Sequence, residues 1–362
     1  MLPLRRFDFF LFLPVALLLG IGIFILASVA PANLGTHLLY VFISLCFFFL
    51  FSFIDLEIVF PFSPVVYLLS LFLLVLPFFF GLAVRGSVRW IPLGQFTIQP
   101  SEIVKPLVAL IFAWYWARRK ISLGNLFFAG LIFIPIIILI FLQPDLGSSL
   151  AVTSIFIGCL FASPLQTKHV LVFLAIFLIT VPLLWFSLKD YQKYRFVHFL
   201  NPYSDPLGKG YNLIQAKISV GSGKLFGRGF GRGTQSHLAF LPERYTDFVF
   251  ASLTEEMGFL GGTVILLLYF WLFSRMLKIA SRSLTAYTND KSFFLLSIGI
   301  IFYLSFQVLV NIGMNIGLLP ITGIPLPIVS YGGSSLLSTM ISLGFLESIA
   351  NRFNREKSIE IK

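Results

Sequence analysis

Charge is what this sequence lacks most. Only 11% of its 362 residues are Asp, Glu, Lys or Arg and 58% are hydrophobic, against about 25% and 45–50% in soluble globular domains. Such a chain cannot have water as its main solvent, which excludes an ordinary soluble fold. Cysteine is nearly absent: Cys46 and Cys159 both fall inside apolar stretches, so a disulfide framework is excluded and core packing is the reading for both. The four His are scattered and, with two Cys, give no metal-ligand spacing. The glycine run from Gly221 to Gly233 matches neither nucleotide pattern, because Lys224 is followed by Leu225 and no strand precedes it. ATP use is not indicated.

What is present is length of apolar chain. A membrane span needs about 20 apolar residues, and segments near 9–29, 38–54, 64–84, 103–117, 125–142, 148–163, 169–188, 255–274, 293–316 and 335–350 approach that with few charges. Backbone groups in hydrocarbon must bond internally, and runs this continuous are helical rather than alternating barrel strands. The expected fold is therefore an all-α polytopic bundle of ten helices, with a long connection, 187–247, between helices 7 and 8 and a short tail, 351–362. Small residues near Ala27 to Ala32 resemble a signal cleavage site, but nine further spans favour an uncleaved first helix.

Short cytoplasmic segments collect Lys and Arg. With the N-terminus inside, fourteen of the 26 basic residues fall on that side: Arg5, Arg6, Arg118 to Lys120, Lys168, the Arg275 to Lys291 loop and the tail. The short opposite connections hold only Arg85 and Arg89. Both termini are expected in the cytoplasm. The long connection carries nine cations against Asp190, Asp205, Glu243 and Asp247, a basic outer surface suited to an anionic ligand. Its glycines would let backbone amides approach phosphate, or would simply make a flexible loop.

Ionisable groups at or inside spans are costly unless paired or hydrated, so each is a candidate site. Glu102 and Lys105 share one helical face and can pair, either at a site or as a brace for the helix end. Arg85 and Arg89 precede them, as headgroup anchors or, with Trp90, as the frame of a pyrophosphate site. Asp145, in QPDLG, caps a helix or holds a ligand or ion. Asp247, in ERYTDFVF, sits where the long connection re-enters the membrane; partial dehydration there suits a carboxylate to act as a base, with a helix N-cap as the competing reading. Glu255 and Glu256 follow, one of them expected to face the bundle interior. Residues 319–335, LPITGIPLPIVSYGGSS, carry three prolines and three glycines. That composition breaks a helix and should line a cavity, bringing in Ser330 and Tyr331.

Four stretches together resemble the SEDS (shape, elongation, division and sporulation) family, and its elongation branch in particular: RWIPLGQFTIQPSEIVK at 89–105, QPDLGSS at 143–149, the block from Gly210 to Gly262, and GLLPITGIPLPIVSYGGSS at 317–335. Two positions depart from the family pattern: Lys224 replaces a common glycine, and Tyr245 a common His before TDF. The resemblance implies a peptidoglycan glycosyltransferase in the bacterial cytoplasmic membrane that polymerises lipid II on the outer face. Asp247 would be the base; Arg89, Lys105 or Arg244 would meet the leaving pyrophosphate, with a divalent cation (Mg2+ or Mn2+) as an optional helper. Trp90, Glu102, Asp145, Glu255, Ser330 and Tyr331 complete the expected substrate contacts. Implied partners are the nascent polyprenyl-linked glycan, a class B penicillin-binding protein supplying transpeptidation and other elongation-complex membrane proteins, with no nucleic acid. Two rivals stay open: a lipid II transporter, since intramembrane charge and broken helices also mark transport routes, and a silent scaffold for the penicillin-binding protein.

Overall fold

A computed structural model describes residues 7–84, 87–94, 96–164, 199–206, 210–238, 240–286 and 290–360, with single positions 166, 169, 178, 186, 193 and 208. Most of the expected span near 169–188, Arg85, Lys168 and most of 187–198 lie outside the described residues. Helices α1 (Phe9–Val29), α2 (Leu34–Ser52) and α3 (Ser63–Phe80) lead into strands β1 (Leu82–Val84), β2 (Ser87–Leu93) and β3 (Phe96–Ile98). Then come α4 (Pro100–Arg118), α5 (Leu123–Leu142), α6 (Leu146–Phe161), α7 (Tyr211–Ser222), α8 (Val249–Ala286), α9 (Ser292–Asn315) and α10 (Gly333–Glu360). Among the described residues seven helices are long and apolar enough to cross a membrane. The protein is a multi-pass membrane protein.

The bundle is ordered by polarity. In α10, 83% of the most apolar window is buried, against 17% in α2 and α5. The reason is chemical: α10 turns Ser334, Ser338, Thr339, Ser342 and Glu347 inward, where hydroxyls find backbone partners such as Ser338 O for Ser342 Oγ, at 2.9 Å. Helices α2 and α5 show Leu38, Phe42, Phe127 and Ile134 outward instead. Lipid tails are as apolar as Leu, so small and polar residues, not large apolar ones, mark helix contacts.

Five expectations need correction. The connection after α3 is not all-α: β1, β2 and β3 form an antiparallel meander. Aromatic and branched residues such as Val88, Trp90 and Ile91 favour strands, and Gly94, at φ 66°, makes the β2–β3 turn. Helix α3 accordingly stops at Phe80. Helix α8 starts at Val249 rather than near 255 and is interrupted at Gly258 (φ 67°, ψ −165°). The long connection contains helix α7, and α10 continues through the expected tail to Glu360. Finally, Cys159 is buried but Cys46 is exposed, on the outward side of α2.

Candidate active site

The end of the bundle that carries the sheet gathers two acidic clusters. The first is built at the start of α4 and α6. Lys105 Nζ lies 2.5 Å from Glu102 Oε1, with both side chains buried; an i,i+3 spacing puts them on one face. Asp145 caps α6, accepting from the Ser148 amide at 3.2 Å, and also accepts from Gln99 Nε2 at 2.6 Å and Ser101 Oγ at 2.9 Å. Arg89 reaches across from β2, its guanidinium 3.5 Å from Asp145 Oδ1. Burial alone would push the Asp145 carboxyl up, but Arg89, the Ser148 amide and Lys105 hold it below the ordinary carboxylate value. The helix-cap reading of Asp145 holds, and the same carboxylate joins a side-chain network with Gln99, Ser101 and Arg89. Arg89 Nε is buried and, among the described residues, without a hydrogen-bond partner. Trp90 stands in the same strand, paired with Leu82.

The second cluster is the turn that leads into α8. Asp247 is half-buried there. Helix α8 starts at Val249, two residues past Asp247. The turn is held by its backbone. Asn311 Nδ2 donates to Asp247 O at 2.9 Å and to Ile324 O at 2.8 Å, and Asn315 Nδ2 donates to Asp247 O at 3.1 Å. Ser330 Oγ donates to Thr246 O at 2.6 Å, and the Tyr331 amide to Tyr245 O at 2.9 Å. Tyr245 and Tyr331 also pack edge to face at 5.6 Å, and the Arg244 Nε donates to Val29 O at 3.3 Å.

Residues 322–334 are the wall between the clusters. A Cβ added at Gly147, two residues past Asp145, would lie 2.7 Å from Ile324 Cγ1, and one added at Gly323 would lie 3.5 Å from Asp247 Oδ2. The Gln99 amide donates to Ser334 Oγ at 2.9 Å. This stretch is broken as its prolines require, and Ile328 sits at φ 73°, a costly conformation for a branched residue that persists only when its neighbours impose it. Tyr269 Oη donates to Pro327 O, and the Leu326 amide to Ser330 Oγ at 2.8 Å, fixing both sides of it.

Glu255 and Glu256 both face inward, where one was expected. Glu255 is fully buried, its carboxylate accepting from the amides of Gln235 at 2.8 Å and Ser236 at 2.9 Å and from Ser219 Oγ at 3.3 Å. It clasps the long connection, and of the expected substrate contacts it has no exposed surface. Glu256 does similar work, accepting from Ser28 Oγ at 2.5 Å and lying 2.9 Å from His237 Nε2. Asn311, Asn315, Gln99 and Ser101 went unnoticed in the sequence reading. The asparagines had a signal: two amides four residues apart inside an apolar helix. Among the described residues no three His, Cys, Asp or Glu side chains gather as a metal would need.

A profile of the cell cycle proteins FtsW, RodA and SpoVE matches residues 9–355, which take in both clusters. The chain belongs to the FtsW/RodA/SpoVE family. Within that family it is 44% identical over 291 residues to the peptidoglycan glycosyltransferase MrdB of Escherichia coli K12, covering 79% of this chain and 77% of that one. It is 34% identical to the probable peptidoglycan glycosyltransferase FtsW of Wigglesworthia glossinidia brevipalpis, over 86% and 81%. A chain solved in a peptidoglycan synthase complex that coordinates polymerization and crosslinking superposes with a TM-score of 0.82 at 32% identity, over 96% of this chain and 98% of that one. The rod shape determining protein RodA of Thermus thermophilus superposes with a TM-score of 0.72 at 28% identity, over 96% and 97%. Lys224 adopts φ 49°, the left-handed region that glycine enters without penalty.

Proposed function

We propose that this chain is a peptidoglycan glycosyltransferase that joins lipid II units into β-1,4-linked glycan during cell elongation. The sheet end would face away from the cytoplasm, with both termini inside. Ten spans follow if 169–188 crosses as its composition suggests, and the whole chain then forms one transmembrane domain. The observation that carries the reading is the Asp247 turn: a half-buried carboxylate beside Gly323, positioned by two buried asparagines on its own carbonyl.

The reaction has two needs that these residues can meet. Attack of a GlcNAc 4-hydroxyl on the anomeric carbon requires removal of the hydroxyl proton, which Asp247 would accept; a positioned base contributes about 10² to 10⁴ in rate. The C1–O bond to the pyrophosphate breaks as the new glycosidic bond forms, and charge grows on the departing phosphate. Arg89, with an Nε unpartnered among the described residues, and Arg244 are the cations that would meet it. Displacement with inversion converts an α-linked donor into a β-linked product. Trp90, Ser330 and Tyr331 would shape the sugar pocket, with Glu102, Lys105 and Asp145 fixing Arg89 and the wall. Among the described residues no three His, Cys, Asp or Glu gather, and no step is assigned to a divalent ion.

A class B penicillin-binding protein as partner is supported by the similarity to a chain solved within a peptidoglycan synthase complex. The transporter reading is not favoured, because the relatives named above are glycosyltransferases. Purified protein with lipid II in detergent tests the proposal, since no membrane remains to cross. Glycan polymer is the expected product; no polymer, together with lipid II translocation in liposomes, would establish the transporter.

A further inference from the structure

The glycine-rich stretch between α7 and residue 233 does not stand off in solvent. Its backbone is stitched into the break of α8: the Phe259 amide donates to Lys224 O at 2.8 Å, the Leu260 amide to Leu225 O at 3.2 Å and the Gly229 amide to Glu256 O at 3.0 Å. Phe230 packs on Phe24 at 4.7 Å between ring centroids. Phe24 is an outward-facing residue of α1, five positions before its end at Val29, and so about 7 Å below the end of that span at 1.5 Å per residue. The stretch therefore dips to the depth of the spans.

What it shows there is amphipathic. Leu225, Phe226 and Phe230 are exposed, Phe226 at 75%, and they continue the outward face of α8 formed by Phe259, Val264 and Leu267. Lys224, Arg228 and Arg232 alternate with them and are exposed. Among the described residues none of the three forms an ion pair; Arg228 donates to Thr234 Oγ1 at 2.9 Å. Glu255 and Glu256, whose backbone carbonyls accept from the Arg228 and Gly229 amides, have carboxylates that are buried and already engaged. Apolar residues at interfacial depth interleaved with unpaired cations match an anionic headgroup above an acyl chain.

We infer that residues 224–232 form a binding site for anionic phospholipid in the leaflet at the sheet end, with Lys224, Arg228 and Arg232 on the headgroup phosphate and Phe226 and Phe230 among the acyl chains. The site is separate from the Asp247 turn and needs no turnover to be seen. The test places the protein in nanodiscs of equal parts phosphatidylglycerol and phosphatidylcholine, extracts it gently and counts retained lipid by native mass spectrometry. Wild type should keep phosphatidylglycerol preferentially. The preference should fall about fivefold in each of Lys224→Gln, Arg228→Gln and Arg232→Gln and vanish in the triple variant, while Arg118→Gln/Arg119→Gln at the opposite end leaves it partly in place. A second readout needs no charge change: the added emission of Phe226→Trp should be quenched by lipids brominated on their acyl chains. An unchanged preference in the single and triple variants would overturn the inference, as would unquenched Phe226→Trp emission, the mark of a water-exposed loop or a protein-covered face. Displacement of phosphatidylglycerol by added polyprenyl pyrophosphate would also overturn it, by assigning the cations to the substrate.

Discussion

Asp145 and Asp247 flank the same stretch of broken backbone, and different contacts define the place of each. Asp145 is held by its side chain. Its oxygens accept from Gln99, Ser101 and Ser148 and face Arg89, and it is 4% exposed. Asp247 is held by its main chain, with Asn311 and Asn315 on its carbonyl and Ser330 and Tyr331 on the two carbonyls before it, while the side chain stays half-buried. A carboxylate locked by four partners is a frame. At Asp247 the backbone carbonyls carry the positioning of the turn.

The contrast predicts a graded set of effects. Asp247→Asn should remove the base with its surroundings intact: polymerisation falls by at least about 10², while thermal unfolding and partner copurification match wild type. Normal glycan from that variant would strip Asp247 of its role. In the framing cluster, Glu102→Ala or Lys105→Ala leaves a buried charge alone, at a cost of about 3–5 kcal/mol. Each should therefore lower the unfolding midpoint as well as activity, and the swapped pair Glu102→Lys/Lys105→Glu should recover part of both. Equal loss in all three would mean separate roles. Asn311→Ala removes bonds to Asp247 O and Ile324 O together, and should reduce kcat about tenfold or more through misplacement of the base with little change in lipid II affinity; a pure KM effect would contradict positioning through the main chain. The smallest effect belongs to Lys224→Gly. Relief of a left-handed non-glycine residue should raise stability by up to about 1 kcal/mol without changing the rate of polymerisation.

Much of the framing cluster was legible in the chain. Glu102 and Lys105 at i,i+3 pair as expected, and Asp145 in a tight QPDLG turn caps a helix because few other residues can. The break at 319–335 was legible from its prolines. Residues 82–98 were misread because a short amphipathic hairpin between two spans looks like any polar connection when helices set the expectation. Glu255 and Glu256 were misjudged for a different reason: a carboxylate on an apolar helix advertises a partner but not which one. Their partners lie some 20 residues earlier in the connection or, for Ser28, in another helix.

By itself the sequence determined that the protein lives in a membrane, which apolar stretches form most of its long helices and which residues are too costly to be idle. Those properties are local: apolar run length, charge spacing and proline content act within a few turns of chain. Tertiary structure alone decided that Asn311 and Asn315 grip the Asp247 carbonyl, that Gly147 and Gly323 press the two clusters against one wall, and that a glycine loop closes the break in α8. These depend on which helices meet and at what rotation. That is settled by the summed burial of small and polar faces, a quantity no single stretch of residues contains.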